Sequence, residues 1–271
     1  MARFEVNEGP PGQGKSIYQA ALVQRLVERN SKWFDTLSLT YETRCDQWRA
    51  TQKAVYQSQG LEASNIWVKD HPTPIEPRRR QIKSNQKFSA AFETYAKDYL
   101  GYWTELDEIT DFRHCDIIWD EVATDLDSRN WPLLSNKVKR FLSQYRKRGV
   151  DIYANTQDFS MIDVRARLMI TGVKTLKKVI GSPDLSTTKP PPKTIWGVVL
   201  ILTVNNFKET DVLKKRYSLF DFSFMLIEKE LVDIYDTRQD IKVGNLPPLR
   251  HEERVCELHG TSCKFIRVSH V

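Results

Sequence analysis

Eight consecutive residues near the start constrain this chain more than any others. Gly9-Pro10-Pro11-Gly12-Gln13-Gly14-Lys15-Ser16 fits the pattern G-x-x-x-x-G-K-[ST] in full. The alternating stretch Arg3 to Asn7 runs into it, and Ile17, Ala20, Ala21, Val23, Leu26 and Val27 follow at the spacing of a helix's buried side. Strand, glycine loop and helix in that order form a cradle for phosphate. Backbone N–H groups around Gly12 and Gly14 can approach phosphate oxygens because no Cβ intervenes, and the helix N-terminus favours negative charge. The whole loop, Gly9, Pro10, Pro11, Gly12, Gln13, Gly14, Lys15 and Ser16, is therefore the expected ATP-binding set. Lys15 is expected to reach the β- and γ-phosphates, and Ser16 to hold Mg²⁺ through its hydroxyl.

A phosphate loop needs acidic partners at the same sheet edge. Cys115 to Trp119 reads as an apolar strand ending in Asp120-Glu121. Asp120 suits a Mg²⁺ ligand, and Glu121 suits the base that polarises an attacking water. A further strand, Val150 to Asn155, leads into Gln157. Two readings stand for Gln157: a sensor touching the γ-phosphate and the water, or a turn residue bonded to local backbone. Between these strands, Pro132 to Lys147 is expected to be a helix with Leu134, Val138, Phe141 and Tyr145 on its buried stripe. Lys137, Arg140 and Lys147 line a different face. Arg146 and Arg148 at its end, or Arg165 and Arg167 beyond the next strand, are candidates to complete a neighbouring subunit's site. The other reading of Arg146 to Arg148 is a solvated helix end favoured by the helix dipole.

Strands alternating with helices imply an α/β P-loop NTPase, with a mostly parallel sheet covered by helices on both faces and ligands at the carboxyl ends of the strands. Residues 1–181 are expected to form this core, with Thr36 to Thr40 as another strand and a helical insertion over about 42–114. Pro72, Pro74 and Pro77, followed by Arg78-Arg79-Arg80, mark an exposed loop in that insertion. Residues 182–193 are Pro-rich and read as a connector. Residues 194–271 then form a small antiparallel appendage with strands at Ile195 to Val204, Phe222 to Ile227 and Leu231 to Tyr235.

With 271 residues, 40% of them hydrophobic, the chain can bury a full core. Its net charge of +6 favours anionic partners such as nucleic acid. Four scattered cysteines make no disulfide framework, and Cys256, His259 and Cys263 match no zinc-finger spacing. The absence of a signal-peptide pattern points to the cytoplasm. Ile195 to Val204 is about half of the roughly 20 residues a membrane span needs, so no stable span is expected.

Asp116-Ile117-Ile118-Trp119-Asp120-Glu121, Arg129, Tyr145-Arg146-Lys147-Arg148-Gly149-Val150-Asp151-Ile152, Asn155-Thr156-Gln157-Asp158, Ile162-Asp163-Val164-Arg165 and Ile234-Tyr235-Asp236-Thr237 together resemble the zonular occludens toxin (Zot)-like ATPases of the FtsK-HerA group. The resemblance covers roughly residues 1 to 240. It implies a viral ATPase that moves DNA during virion assembly, acting as a homo-oligomeric ring, commonly a hexamer, with an arginine supplied in trans. Viral DNA and capsid or assembly-complex proteins are the implied partners, and the host cytoplasm, in association with the virion or its assembly site, the implied location. Filamentous-phage members carry a transmembrane segment after the ATPase domain. Its absence from this sequence favours genome packaging over the alternative, an export ATPase acting on a membrane secretion channel. A small-molecule kinase shares the phosphate loop but is not expected to carry both Glu121 and Gln157.

Overall fold

Among the described residues six strands run parallel, and parallel strands need the chain between one and the next to cross back over the sheet. The computed structural model describes residues 2–58, 75–181, 197–205 and 221–227, together with Leu231 and Ile234. It separates into two compact units, Met1–Val27 with Gln81–Val271, and Glu28–Arg80.

The first unit holds the sheet. Its strands are β1 (Phe4–Glu8), β2 (Ile82–Ser84), β3 (Leu100–Tyr102), β4 (Asp116–Trp119), β5 (Asp151–Thr156), β6 (Gly172–Gly181), β7 (Gly197–Asn205) and β8 (Asp221–Ile227). They lie in the order β3-β2-β4-β5-β1-β6-β7-β8. Strands β3 to β6 in that order are parallel, while β6–β7 and β7–β8 are antiparallel. The described helices are α1 (Lys15–Ser58), α2 (Ala90–Ala96), α3 (Val122–Leu126), α4 (Asn136–Gln144) and α5 (Val164–Arg167).

Side chains alternate across a strand, so register decides which residues share a face. Phe4 pairs with Ile152, and Ile152 with Ile117, while Val6, Ala154 and Trp119 are matched in the same way. All six are buried on one face with Val122, Ala123 and Leu126 of α3 and Val138, Phe141 and Leu142 of α4. The opposite face presents Ile82, Ile118 and Tyr153 to Ala20, Val23, Leu26 and Val27 of α1 and to Phe92 and Ala96 of α2. Each large apolar side chain removed from water contributes about 1.5–3 kcal/mol, and burial on both faces explains why β4 is apolar without alternation. The expected α/β class, with helices on both faces of a mostly parallel sheet, is what forms.

Several expected elements differ. Thr36 to Thr40 is not a strand: it lies within α1. No glycine or proline interrupts the sequence from Lys15 to Ser58. Thr36 and Thr40 hydroxyls donate to the carbonyls of Lys32 and Thr36 at 2.9 and 2.8 Å, which satisfies them within the helix. The expected insertion over 42–114 contains two strands of the parallel sheet, β2 and β3, and the separate compact unit is Glu28–Arg80 instead. In that unit Arg79 stacks over the Phe34 ring at 4.6 Å, and Asn30 Nδ2 donates to the Arg80 carbonyl at 3.1 Å. The expected helix from Pro132 to Lys147 is divided. Pro132 lies in a 3-10 segment, Trp131–Leu133, and α4 starts afresh where the Ser135 hydroxyl accepts from Val138 N at 3.3 Å. Tyr145–Arg148 then tightens into a second 3-10 segment ended by Gly149 at φ 68°.

The expected antiparallel strands form, and they continue the same sheet. β6, which carries three lysines among its apolar residues, extends the parallel sheet from β1, and β7 and β8 continue it. Leu231 and Ile234 are helical and not part of a strand, and the Ile234 carbonyl accepts from Ser89 N at 2.8 Å. The connector at residues 182–193, Pro72, Pro74, Tyr235 and the cluster of Cys256, His259 and Cys263 lie outside the described residues.

Candidate active site

β1 ends at Glu8 and α1 starts at Lys15, so the expected phosphate loop spans the gap between strand and helix. Gly12 takes φ +77°, in the region that favours glycine, and a Cβ placed on it would meet nothing within 4 Å. That open space beside bare backbone suits a phosphate. At Gly14 the reason for glycine is different: φ is +89° and a Cβ would lie 2.9 Å from Cγ2 of buried Val199 on β7. Gln13 Oε1 accepts from Lys178 N on β6 at 2.9 Å, beside an irregularity in the β6–β7 pairing. The antiparallel strands thus form the wall of the loop.

Lys15 is buried, and its ammonium donates to the carbonyls of Gly9 and of Pro10, the latter at 3.2 Å. Burial holds its pKa below the usual lysine range, against the opposing pull of Glu121 and Asp120. The cation therefore lies within electrostatic reach of both acids. Ser16, half-buried, follows in the first turn of α1.

Asp120 and Glu121 leave β4 at the same sheet edge. Burial raises the Asp120 pKa, while Asn155 and Lys15 oppose the rise. Asn155 Nδ2 donates to Asp120 Oδ1 at 2.9 Å and also to Gln19 Oε1, and Asn7 Nδ2 donates to Asn155 Oδ1 at 3.0 Å. Asn7, Gln19 and Asn155 are all buried. One Asp120 oxygen is thereby fixed by a network fed from β1, α1 and β5. Glu121 adopts φ 51°, ψ 50°, a left-handed conformation that costs a residue with a Cβ roughly 1–2 kcal/mol. Such strain persists where surrounding structure holds it. Burial, then the neighbouring Asp120, raise the Glu121 pKa, and Lys15 and a hydrogen bond with Gln157 oppose the rise. A carboxylate with a raised pKa is the stronger base toward water.

Gln157 is exposed at the end of β5, and its side chain contacts Glu121. The loop it belongs to is tied to the phosphate loop by buried Glu8, which accepts from Phe159 N at 3.2 Å and from Thr175 Oγ1 at 2.6 Å.

Arg146 and Arg148 are not brought to this cluster. They precede β5 and so lie toward the amino ends of the parallel strands, opposite the phosphate loop. The Arg148 guanidinium donates to the Thr110 carbonyl and covers Phe141 at 5.4 Å. Arg146 is exposed, with Nε donating to the Tyr145 hydroxyl at 3.1 Å. Arg165 and Arg167 follow the carboxyl end of β5, where Arg165 grips Asp163 at 2.9 and 3.0 Å.

The donor set fits ATP and Mg²⁺: an open glycine cradle, a buried lysine, a helix-start hydroxyl, and a carboxylate with one oxygen anchored. Bound Mg²⁺ would neutralise charge on the β- and γ-phosphates, held by Ser16 and Asp120. Among the described residues no group of three or more His, Cys, Asp or Glu side chains could hold a metal ion by itself.

No protein family and no curated protein matches the chain by sequence. Among solved structures, it is similar to the N-terminal domain of zonular occludens toxin from Neisseria meningitidis, at 15% identity and TM-score 0.44, over 87% of this chain and all of that one. It is also similar to the genome packaging NTPase of Sulfolobus turreted icosahedral virus 2 in complex with ATP-gammaS, at 10% identity and TM-score 0.35, over 82% of this chain and 96% of that one. The same NTPase with AMPPCP gives 9% identity and TM-score 0.36 over the same shares. Glu8, Gln19, Asn85 and the anchoring role of Asn155 carry no motif of their own in the sequence. Two consecutive polar residues, Asn7 and Glu8, where the alternation of the strand breaks down were the available signal for two members of the surrounding network.

Proposed function

We propose that the chain is an ATP-hydrolysing motor that translocates viral DNA during virion assembly, as a genome packaging ATPase. The observation that carries the hydrolase part is the convergence of Lys15, Asp120, Glu121 and Gln157 at one sheet edge. Lys15 binds phosphate, Asp120 with Ser16 supports Mg²⁺, and Glu121 takes a proton from the water that Gln157 helps to orient.

The DNA part rests on exposed Lys137, Arg140 and Lys147, on exposed Arg78 and Arg79, and on the family the sequence resembles. Contacts to phosphate are insensitive to base sequence and weaken with salt, because each neutralised phosphate releases condensed counterions. Lys137→Gln with Arg140→Gln should lower the salt slope of DNA binding by about one to two units while DNA-independent turnover stays near wild type. Unchanged affinity and slope in the double variant would remove this helix from DNA binding. No helix among the described residues is long and apolar enough to cross a membrane. ATP turnover indifferent to DNA would favour the export reading.

In a ring, a neighbour completes each site. Of Arg146 and Arg148, exposed Arg146 is the better placed to reach another subunit, since Arg148 is engaged within its own. Mixing Arg146→Ala with Lys15→Ala chains should restore part of the ATPase activity that each lacks alone. Additive inactivity in the mixture would exclude Arg146 from that role.

A further inference from the structure

We infer that Asn85 is a positioning residue for hydrolysis, fixing the Asp120–Glu121 peptide from the strand beside the one that carries it. The inference rests on the hydrolase reading above and adds a component that no sequence pattern marked.

Asn85 directly follows β2, which neighbours β4 on the side away from β5. The β2–β4 ladder closes at Ser84 opposite Ile118, and Asn85 N donates to the Ile118 carbonyl at 3.3 Å. Two residues further on, just past the end of β4, the Asn85 side chain takes over the work of the strand at Asp120. Its Oδ1 accepts from Asp120 N at 2.7 Å, and its Nδ2 donates to the Asp120 carbonyl at 3.1 Å. A primary amide offers a donor and an acceptor in one plane, so it can satisfy both backbone groups of a single residue as a neighbouring strand would. Alanine, serine or leucine at this position could not make both bonds.

Both bonds fall on the residue before Glu121. Glu121 is in the left-handed region at φ 51°, and where its carboxylate points depends on the orientation of the peptide that precedes it. Asn155 holds the Asp120 carboxylate from β5, while Asn85 holds the Asp120 backbone from β2. The acidic pair is thus clamped from both neighbouring strands. Its two clamps do different things: Asn155 fixes the group expected at the metal, and Asn85 fixes the direction of the base. Because the Asn85 side chain bonds the Asp120 backbone and, among the described residues, no hydrogen bond joins it to the phosphate loop, its loss should disturb the attack on phosphate far more than the binding of nucleotide.

The test is steady-state ATP hydrolysis together with equilibrium binding of a fluorescent ATP analogue, on the full chain, for wild type, Asn85→Ala and Asn85→Asp. Misplacing a catalytic group by about an ångström costs on the order of a hundredfold, so kcat should fall about 10- to 100-fold in Asn85→Ala, with analogue affinity within about twofold of wild type. Asn85→Asp keeps the acceptor for Asp120 N and loses the donor, so its kcat should lie between the two. If Asn85→Ala does not fold, the near-isosteric Asn85→Asp decides, by reduced kcat at retained affinity. Unchanged kcat would overturn the inference, and so would kcat and affinity falling together in both variants, the mark of a merely structural role. A wild-type chain that does not hydrolyse ATP would overturn the hydrolase reading itself, a result visible before any variant is compared.

Discussion

Glu121→Gln should leave ATP bound and reduce its hydrolysis by about 10²- to 10⁴-fold, the range that loss of a positioned general base commonly costs. The substitution is unusually clean here. Glutamine matches glutamate in size and tolerates the same left-handed backbone about equally, so the strained turn at φ 51° is preserved. The contact with Gln157 can persist because an amide still offers hydrogen-bonding groups. What disappears is the carboxylate whose pKa burial and Asp120 raise. Single-turnover measurement with radiolabelled ATP checks the prediction, and wild-type turnover in the variant would remove Glu121 from the role of base.

Lys15→Ala should be still more damaging, because it affects binding as well as chemistry. Lys15 is the buried cation of the loop, and in the structure its ammonium rests on the carbonyls of Gly9 and Pro10, within the loop that would receive phosphate. A phosphate oxygen would replace those neutral acceptors with a charged one, a stronger partner. Removing one such electrostatic donor commonly costs 10²- to 10³-fold in kcat, and here affinity for ATP should fall with it. The alanine also leaves Asp120 and Glu121 without the cation that opposes the rise in their pKa values. Isothermal titration with a slowly hydrolysed ATP analogue separates the effects: Glu121→Gln should bind it and Lys15→Ala should not. Equal affinity in the two variants would contradict the assignment of Lys15 to phosphate.

The phosphate loop and the acidic pair could be read without a structure because each is local. Gly9 to Ser16 carries its own context, a strand before and a helix after, and Asp120-Glu121 ends an apolar run that only a buried strand explains. Their meeting at one edge follows from parallel strands sharing a direction. Local patterns also misled. Thr36 to Thr40 alternates as a strand does, yet continues a helix whose uninterrupted length was the better signal. Residues 42–114 are polar and aromatic in mixture, which hid two three-residue strands too short to show periodicity.

What the sequence by itself determined is the chemistry available at the site: a loop that can surround phosphate, a lysine, a hydroxyl, two acids and an amide, in an order that an α/β sheet gathers. What only tertiary structure decided is how those groups are held. Asn7 meets Asn155 across 148 residues, Gln19 meets Asn155 across 136, and Asn85 meets Asp120 across 35. Strand β7 reaches Gly14 only because β6 adds to β1 in parallel and β7 pairs with β6 in the antiparallel sense. The physical reason is that buried polar groups must be paired, but the identity of the partner depends on strand order and register. Neither is encoded in the few residues around any one of them.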